Sequence, residues 1–389
     1  MTLPNKPLIL LLLLTLWAWL WQSNTRQEAQ AIAAARGEAT PNLQCQYGQL
    51  RLETLSEGLN HPWGMAFLPD GRILITERSG NLRVWQAGQG LSAPLTGLPA
   101  IHAQGQGGLL DVVLSPDFNS NHRIFFSYAE PHPDGTSGTA VASATLGDGA
   151  LSDVQVIFRQ QPSFSGNNHY GSRLAFDKKG LLWISVGERN DGKALAPDPR
   201  NTLGKVLRVQ ADGGIPAGNP FNNTVWTRGH RNPQGLTIDT SGHVWELEHG
   251  PKGGDELNLL QKGGDYGWPR VSFGVDYSGA PVGTGQSSQP GLLPPVYHWT
   301  PSIAPSGLAY YDHPRFPAWR GSVFVGSLKF ARLHRLTLKN NQVISEEILL
   351  EGLNQRVRDV RVGPDGALYL LTDAPNGQLL RVGLLPKHL

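Results

Sequence analysis

Six variants of one phrase recur along the chain, and no other feature restricts its fold as much. Each joins an apolar run to a second one through a turn that carries aspartate: "GMAFLPDGRILITE" from Gly64, "LLDVVLSPDFNSNHRIFFSY" from Leu109, "SRLAFDKKGLLWISVG" from Ser172, "QGLTIDTSGHVWELEHG" from Gln234, "SGLAYYDHPRFPAWRGSVFVGS" from Ser306 and "VRDVRVGPDGALYLLTD" from Val357. Alternation marks strands, and Asp-Gly or Asp-x-x-Gly between them marks hairpins, because both residues tolerate the positive φ of tight turns. The turn residues Asp70, Asp117, Asp177, Asp239, Asp312 and Asp365 stand roughly 47 to 73 residues apart, enough for about four strands and a loop per unit. The 47 glycines and 11 tryptophans suit short strands joined by tight turns. The expected fold is all-β, a six-bladed β-propeller with four-stranded antiparallel blades. A β-sandwich leaves the repetition unexplained.

In a propeller the loops entering the innermost strands converge on one mouth of the central channel. The six entrances are "NHPWG" (60–64), "QGQGG" (104–108), "GNNHYG" (166–171), "RGHRNPQG" (228–235), "PSIAPSG" (301–307) and "NQRVRD" (354–359). Several are rich in Gln, Asn, His and Arg, which predicts a shared polar pocket. His169 could serve there as a general base near neutral pH, or be an ordinary loop histidine. Arg228, His230, Arg231 and Asn232 crowd one entrance and Arg356 and Arg358 another. They read either as an anion site for carboxylates or phosphates, or as surface ion pairs with Asp359 and nearby acids.

Residues 246–269, "ELEHGPKGGDELNLLQKGGDYGWP", hold Glu246, Glu248, Asp255, Glu256 and Asp265 among glycines and prolines. That composition suits a solvated loop or a Ca²⁺ site built from hard oxygen ligands and exposed carbonyls. A single cysteine and no His-x-x-x-His pair argue against zinc. A nucleophile elbow, a Walker loop and a Rossmann glycine pattern are missing, which removes nucleotide and nicotinamide chemistry. The net charge of +2 with scattered Lys and Arg gives no footprint for nucleic acid.

The apolar block "PLILLLLLTLWAWLW" (7–21) behind Lys6 has the pattern of a secretory leader, with Ala31-Ile32-Ala33 a small-residue cleavage candidate. The rival is an uncleaved anchor, although about 15 apolar residues is short for a bilayer. The expected organisation is a signal peptide or anchor over 1–22, a linker over 23–44 and the propeller over 45–389, in a periplasmic or secreted protein. Cys45 cannot form an internal disulfide, and its place beyond the leader argues against a structural role.

The phrases "GQGGLLDV", "NNHYGSRLAFD", "GHRNPQGL", "EHGPKGGDELN", "GDYGWP", "SIAPSGLAYY" and "RVRDVRVGPDGALYLLTD" together resemble the soluble pyrroloquinoline quinone (PQQ)-dependent sugar dehydrogenases, most closely the aldose sugar or glucose/sorbosone dehydrogenases. The match runs from about Leu50 to about Val382 with all six phrases in order. The resemblance implies PQQ lying over the channel mouth, held by Ca²⁺ and basic side chains. It implies that His169 takes the proton from the anomeric hydroxyl, and that Gln106, Arg231 and Asn232 contact the cofactor or the developing oxyanion. Lys329, Arg356 and Arg358 would receive the cofactor's carboxylates. The Gly250 and Pro251 carbonyls would bind the catalytic Ca²⁺, and Glu256 and Tyr266 a second, structural Ca²⁺.

Residues 186–191, "VGERND", stand where the glucose-specific enzymes carry a glutamine-containing turn, so that contact is not carried over to Glu188 or Arg189. Loops that would narrow the sugar site look short, which predicts broad aldose specificity, with Trp299 and Tyr310 as candidate stacking surfaces. The implied activity is oxidation of aldoses at C1 to lactones, with electrons passed to an external acceptor. The rivals are a Ca²⁺-dependent lactonase and a propeller binding module without redox chemistry.

Overall fold

The computed structural model describes residues 41–386, so the leader, and the linker up to residue 40, lie outside the described residues. Six antiparallel sheets form the blades of a propeller, and each begins at the axis with the first run of one repeated phrase. The innermost strands are Pro62–Phe67, Leu109–Leu114, Gly171–Phe176, Pro233–Ile238, Pro305–Tyr311 and Val357–Val362, and each packs against its two neighbours around the channel. The second strand of every blade is the second run of the same phrase, as the registers Ala66↔Leu74, Ala175↔Trp183 and Thr237↔Trp245 show.

The aspartate turns behave as expected in blades 3 and 4. Asp177 Oδ1 accepts from the Lys179 and Leu181 amides, and Asp239 Oδ1 from those of Ser241 and His243. Their second oxygens accept from Trp183 and Trp245 Nε1, both at 3.0 Å, which ties each turn to the strand that follows. In blades 2 and 5 the turn is longer, with a short helix at Phe118–Asn121 and a 3₁₀ turn at Pro317–Trp319. Among the described residues no helix is long and apolar enough to cross a membrane.

The last blade is closed by both ends of the chain. Gly48–Leu59 pairs with Gly377–Pro386, from Gly48↔Pro386 to Leu59↔Gly377, and Gln44–Cys45 folds back on Gly48 and Gln49. Cys45 is therefore half-buried against the core between blades 5 and 6, and burial pushes its thiol pKa up. This corrects the expectation against a structural role: Cys45 belongs to a strand and packs on the core.

Position three of the inner strands explains how the axis is filled. It is Gly64, Asp111, Arg173, Gly235, Gly307 and Asp359 in blade order. Six side chains cannot share one axis. A Cβ on Gly64 would lie 2.5 Å from Asp111 Oδ1, and one on Gly307 would lie 2.3 Å from the Val360 nitrogen. The glycines thus let neighbouring strands approach and leave room for three charged side chains. Arg173 meets Asp111 at 3.3 Å and Asp359 at 3.0 Å, and Arg361 joins the same two carboxylates at 2.7 and 3.0 Å. This quartet closes the channel below the entrances. On its far side lies an apolar mouth that includes Met65, Phe67, Phe176 and Tyr310.

Candidate active site

The entrances converge as predicted. A cavity of about 150 Å³ at the mouth is walled by Trp63, Gln106, Asn232, Gln234, Arg356 and Arg358 from the entrances, and by Arg78, His249 and Leu328 from ends of second strands. His169 is not itself a lining residue; it is buried directly behind the wall, preceding the lining residues Tyr170 and Gly171 and bonded through its amide to the lining residue Gln106.

The loop holding His169 is kinked, with φ 54° at His169, 65° at Gly171 and 81° at Ser172. Left-handed backbone at two non-glycine residues is held only where the surroundings determine it, and it clusters at functional sites. Here the surroundings are explicit. The His169 amide donates to Gln106 Oε1 at 2.8 Å, and Gln106's own amide donates to the Asn167 carbonyl at 2.9 Å. A Cβ on Gly187 would fall 2.0 Å from the His169 carbonyl oxygen, so only glycine lets the turn after the second strand pass beneath it.

That turn settles the two residues at which the family's contact was not carried over. Glu188 is buried and accepts from His169 Nδ1 at 2.9 Å. The carboxylate selects the tautomer of the neutral ring: Nδ1 donates to it, which makes Nε2, without a hydrogen bond among the described residues, the acceptor nitrogen. Arg189 turns away from the cavity. Its guanidinium lies 3.7 Å from the Tyr170 ring centroid and donates to the Asn168 and Ser137 carbonyls, which holds the loop from behind.

Asn232 lines the cavity and accepts from the Gly171 amide at 3.2 Å. Arg358 is buried, donating to Asp373 at 2.8 Å and to Gln234 at 3.1 Å, while Arg356 reaches Asp373 at 3.3 Å from a half-exposed position. Burial pushes the Asp373 carboxyl up, but the charge of Arg358 and the hydrogen bonds from His61 and Arg358 outweigh it and hold it well below the usual range. The arginine partner is therefore Asp373, not Asp359, which belongs to the axial quartet. Arg228 pairs with Asp265 at 3.0 Å and does not line the cavity.

Arg231 leaves the main cavity as well. It donates to the Gly250 carbonyl at 2.8 Å beside a second, much smaller cavity of about 20 Å³, lined also by Glu248, Glu256 and Tyr266. Lys329 is exposed on the rim next to Leu328, with no ion pair among the described residues. Two expectations for the sugar site fail. Trp299 is buried at the edge of blade 4, donating to Glu346 at 2.8 Å, and Tyr310 lines the opposite mouth, because it stands at the far end of its strand.

The glutamates of the 246–269 segment form a cluster rather than a solvated loop. Glu246 faces Asn258 and Glu248 faces Glu256 across one strand pair, so alternate residues bring all four to one side, beside buried His230. Like charges directly opposite are unfavourable, and burial, with Glu248's charge added, raises the Glu246 and Glu256 carboxyls well above their ordinary range. Glu246 Oε1 and Asn258 Oδ1 are buried without a partner. Unpaired oxygens among crowded carboxylates fit a Ca²⁺ ion. Tyr266 lines the adjoining cavity, but its hydroxyl donates to the Leu259 carbonyl at 2.6 Å, so its only available ligand is the main-chain carbonyl.

The raised carboxyls give a signed prediction. Ionising them costs stability in the metal-free fold, so that cost grows as pH rises above the ordinary carboxylate range, and a divalent ion removes it. Ca²⁺ at a hundred times its wild-type Kd at pH 8 should stabilise by about 2 to 3 kcal/mol there, and the same concentration should stabilise less at pH 5.5 and less in Glu256→Gln, where the Kd is higher. Calorimetry with and without chelator reads this directly; a gain independent of both pH and Glu256 would place the ion elsewhere.

Arg78, His249, Glu188 and Asp373 did not emerge as site residues from the six entrances. All four follow the end of a second strand, and in an antiparallel hairpin that end lies beside the start of the first. Burial, with Arg231 nearby, pushes His249 down to about 3, so it is a neutral wall residue hydrogen-bonded to the Pro305 carbonyl.

A closed six-bladed propeller with a basic cavity and a buried histidine–glutamate pair at one mouth defines the class. The Glucose / Sorbosone dehydrogenase family model matches residues 59–381. Aldose sugar dehydrogenase YliI of Escherichia coli (strain K12) is 45% identical over 344 residues, 86% of this chain and 92% of that protein. A crystal structure of a glucose dehydrogenase superposes with a TM-score of 0.84 at 47% identity, covering 86% of this chain and 100% of that one. The PQQ-bound form of aldose sugar dehydrogenase from Streptomyces coelicolor superposes at 0.74 with 30% identity, covering 88% and 100%. The chain belongs to the glucose/sorbosone dehydrogenase family.

Proposed function

We propose that this protein is an exported, PQQ- and Ca²⁺-dependent dehydrogenase that oxidises aldoses of several kinds at C1 to lactones and hands the electrons to an external acceptor. The observation that carries the reading is the His169–Glu188 pair beside a cavity walled by arginines. A general base held by a carboxylate next to an anion-binding wall suits proton removal from a sugar hydroxyl above an acidic cofactor.

The residues present fit both groups. Arg358 Nε is buried without a partner at the wall, as an incoming carboxylate would require, and Arg356 and Arg358 would hold the PQQ carboxylates with Lys329 on the rim. Ca²⁺ would be held by the Gly250 and Pro251 carbonyls. A carbonyl has two lone pairs, so Gly250 can serve Arg231 and the ion together. The loop is fixed for that task by buried Asp255, which accepts from the Gly250 amide at 2.9 Å and from the Ile303 and Ala304 amides at 2.7 and 3.0 Å.

When bound, PQQ supplies the two-electron acceptor and Ca²⁺ the Lewis acid that polarises it. His169 Nε2 takes the anomeric hydroxyl proton, and the imidazolium so formed is held by Glu188. Gln106 and Asn232 fix the backbone on either side of the base, so that its position does not depend on the sugar's shape. Breadth of substrate follows from the shortness of the loops that would narrow the sugar site.

Dye-linked oxidation by apoprotein, with PQQ and Ca²⁺ added separately and together, should appear only with both and extend over several mono- and disaccharides. Turnover on glucose alone would remove the claim of breadth. A folded protein inactive on the whole panel with both additions would remove the dehydrogenase reading.

A further inference from the structure

Arg78 follows the second strand of blade 1 and lines the main cavity opposite no acid of its own. Its guanidinium makes no hydrogen bond and no ion pair among the described residues. The neighbouring carboxylate, Glu77, is buried and committed elsewhere: it accepts from the Asn60 amide at 2.9 Å and from Asn81 at 2.8 Å, and lies 3.5 Å from Arg83. The stem of Arg78 is nevertheless fixed. A Cβ on Gly108 would stand 2.0 Å from the Arg78 carbonyl oxygen and 2.6 Å from its Cγ, so the blade 2 entrance rests directly on this residue.

The other two arginines of the wall differ in this respect. Arg356 and Arg358 share Asp373, which compensates part of their charge. Arg78 adds a third positive charge to the same cavity, close enough to contribute to the low proton affinity of Asp373. Three guanidinium groups around one carboxylate leave an excess of positive charge in a half-enclosed space, and an anionic guest removes that excess.

We propose that Arg78 binds a carboxylate of the cofactor, so that blades 1 and 6 grip it from both sides of the ring closure. The proposal rests on the reading of the cavity as a PQQ site. A guanidinium with all its donors free can take a carboxylate through two parallel bonds, whereas Lys329 on the rim offers a point charge.

Equilibrium dialysis of PQQ against the Ca²⁺-loaded protein tests this without turnover. The Kd should rise about 10- to 100-fold in Arg78→Leu, the range for losing a charged hydrogen bond. It should rise less in Arg78→Lys, which keeps the charge and the packing on Gly108. Thermal unfolding of both variants checks that the ring is closed. A wild-type protein that takes up no PQQ would remove the cofactor reading itself. Wild-type binding with both variants within twofold of it would overturn the role of Arg78 alone, and an unchanged PQQ Kd with a raised KM for acidic sugars would assign Arg78 to the substrate instead.

Discussion

Glutamine in place of His169 should lower kcat for aldose oxidation about 10²- to 10⁴-fold, the usual scale for loss of the proposed general base, while PQQ binding should stay within a few fold. The reason lies in how the site is built. The loop is held through the His169 amide and carbonyl, by Gln106 and by the passage of Gly187, and neither contact involves the imidazole. The side chain can be exchanged with the backbone left in place. Glu188→Gln separates orientation from charge: its amide oxygen can still accept from Nδ1, but the imidazolium loses its counter-charge. We expect about a tenfold or larger fall in kcat with sugar KM little changed. Stopped-flow reduction of the loaded enzyme reads both variants, and turnover near the wild-type rate in His169→Gln would remove the assigned role.

The largest expected loss of stability is at the axis, not at the pocket. Asp111 lies between Arg173 and Arg361, and its second oxygen accepts from the Leu174 amide at 2.9 Å. Asp111→Ala leaves two buried guanidinium groups with one carboxylate and strands that amide, a change that costs about 3 to 5 kcal/mol. Denaturant unfolding of the apoprotein measures it. The companion Asp111→Leu with Arg173→Met should recover much of the loss, because an apolar pair of similar volume avoids the desolvation of both charges. A loss below 1 kcal/mol in Asp111→Ala would mean that Asp359 alone balances both arginines. The effect should reach the mouth, since Arg173 Nε donates to the Gln234 carbonyl at 2.9 Å and Gln234 in turn accepts from Arg358.

How much of this was legible in the sequence follows from what a repeat encodes. A repeated phrase gives the phase of each strand, so the number of blades, the inner strands and the convergence of His169, Gln106, Asn232, Arg356 and Arg358 could all be derived. It does not say which residues of different blades become partners. Asp373 was missed, and Asp359 offered in its place, because adjacency in sequence stood in for adjacency around a ring. Reading the first residues after each second strand, as well as those before each first, would have found Arg78, Glu188, His249 and Asp373 together. Tyr310 and Trp299 were misjudged for a related reason: an aromatic residue was weighed without asking which end of its strand reaches the mouth. Cys45 reads as a residue without a structural role because the strand that closes a propeller belongs to the last blade and repeats no phrase of its own.

The sharing of blade 6 between the two ends of the chain also bears on when the pocket can exist. Trp63 and Arg78 are made early, and Arg356, Arg358 and Asp373 are made last, yet they face one another across the seam. A nascent chain with five finished blades is an open arc with half a binding site at each end. Only after the strand Gly377–Pro386 has been synthesised and zipped onto Gly48–Leu59 do the halves come within reach. Capture of the proposed cofactor would thereby be restricted to correctly closed molecules, and a ligand lodged across the seam would act as a clasp on the joint where the ring would first come undone.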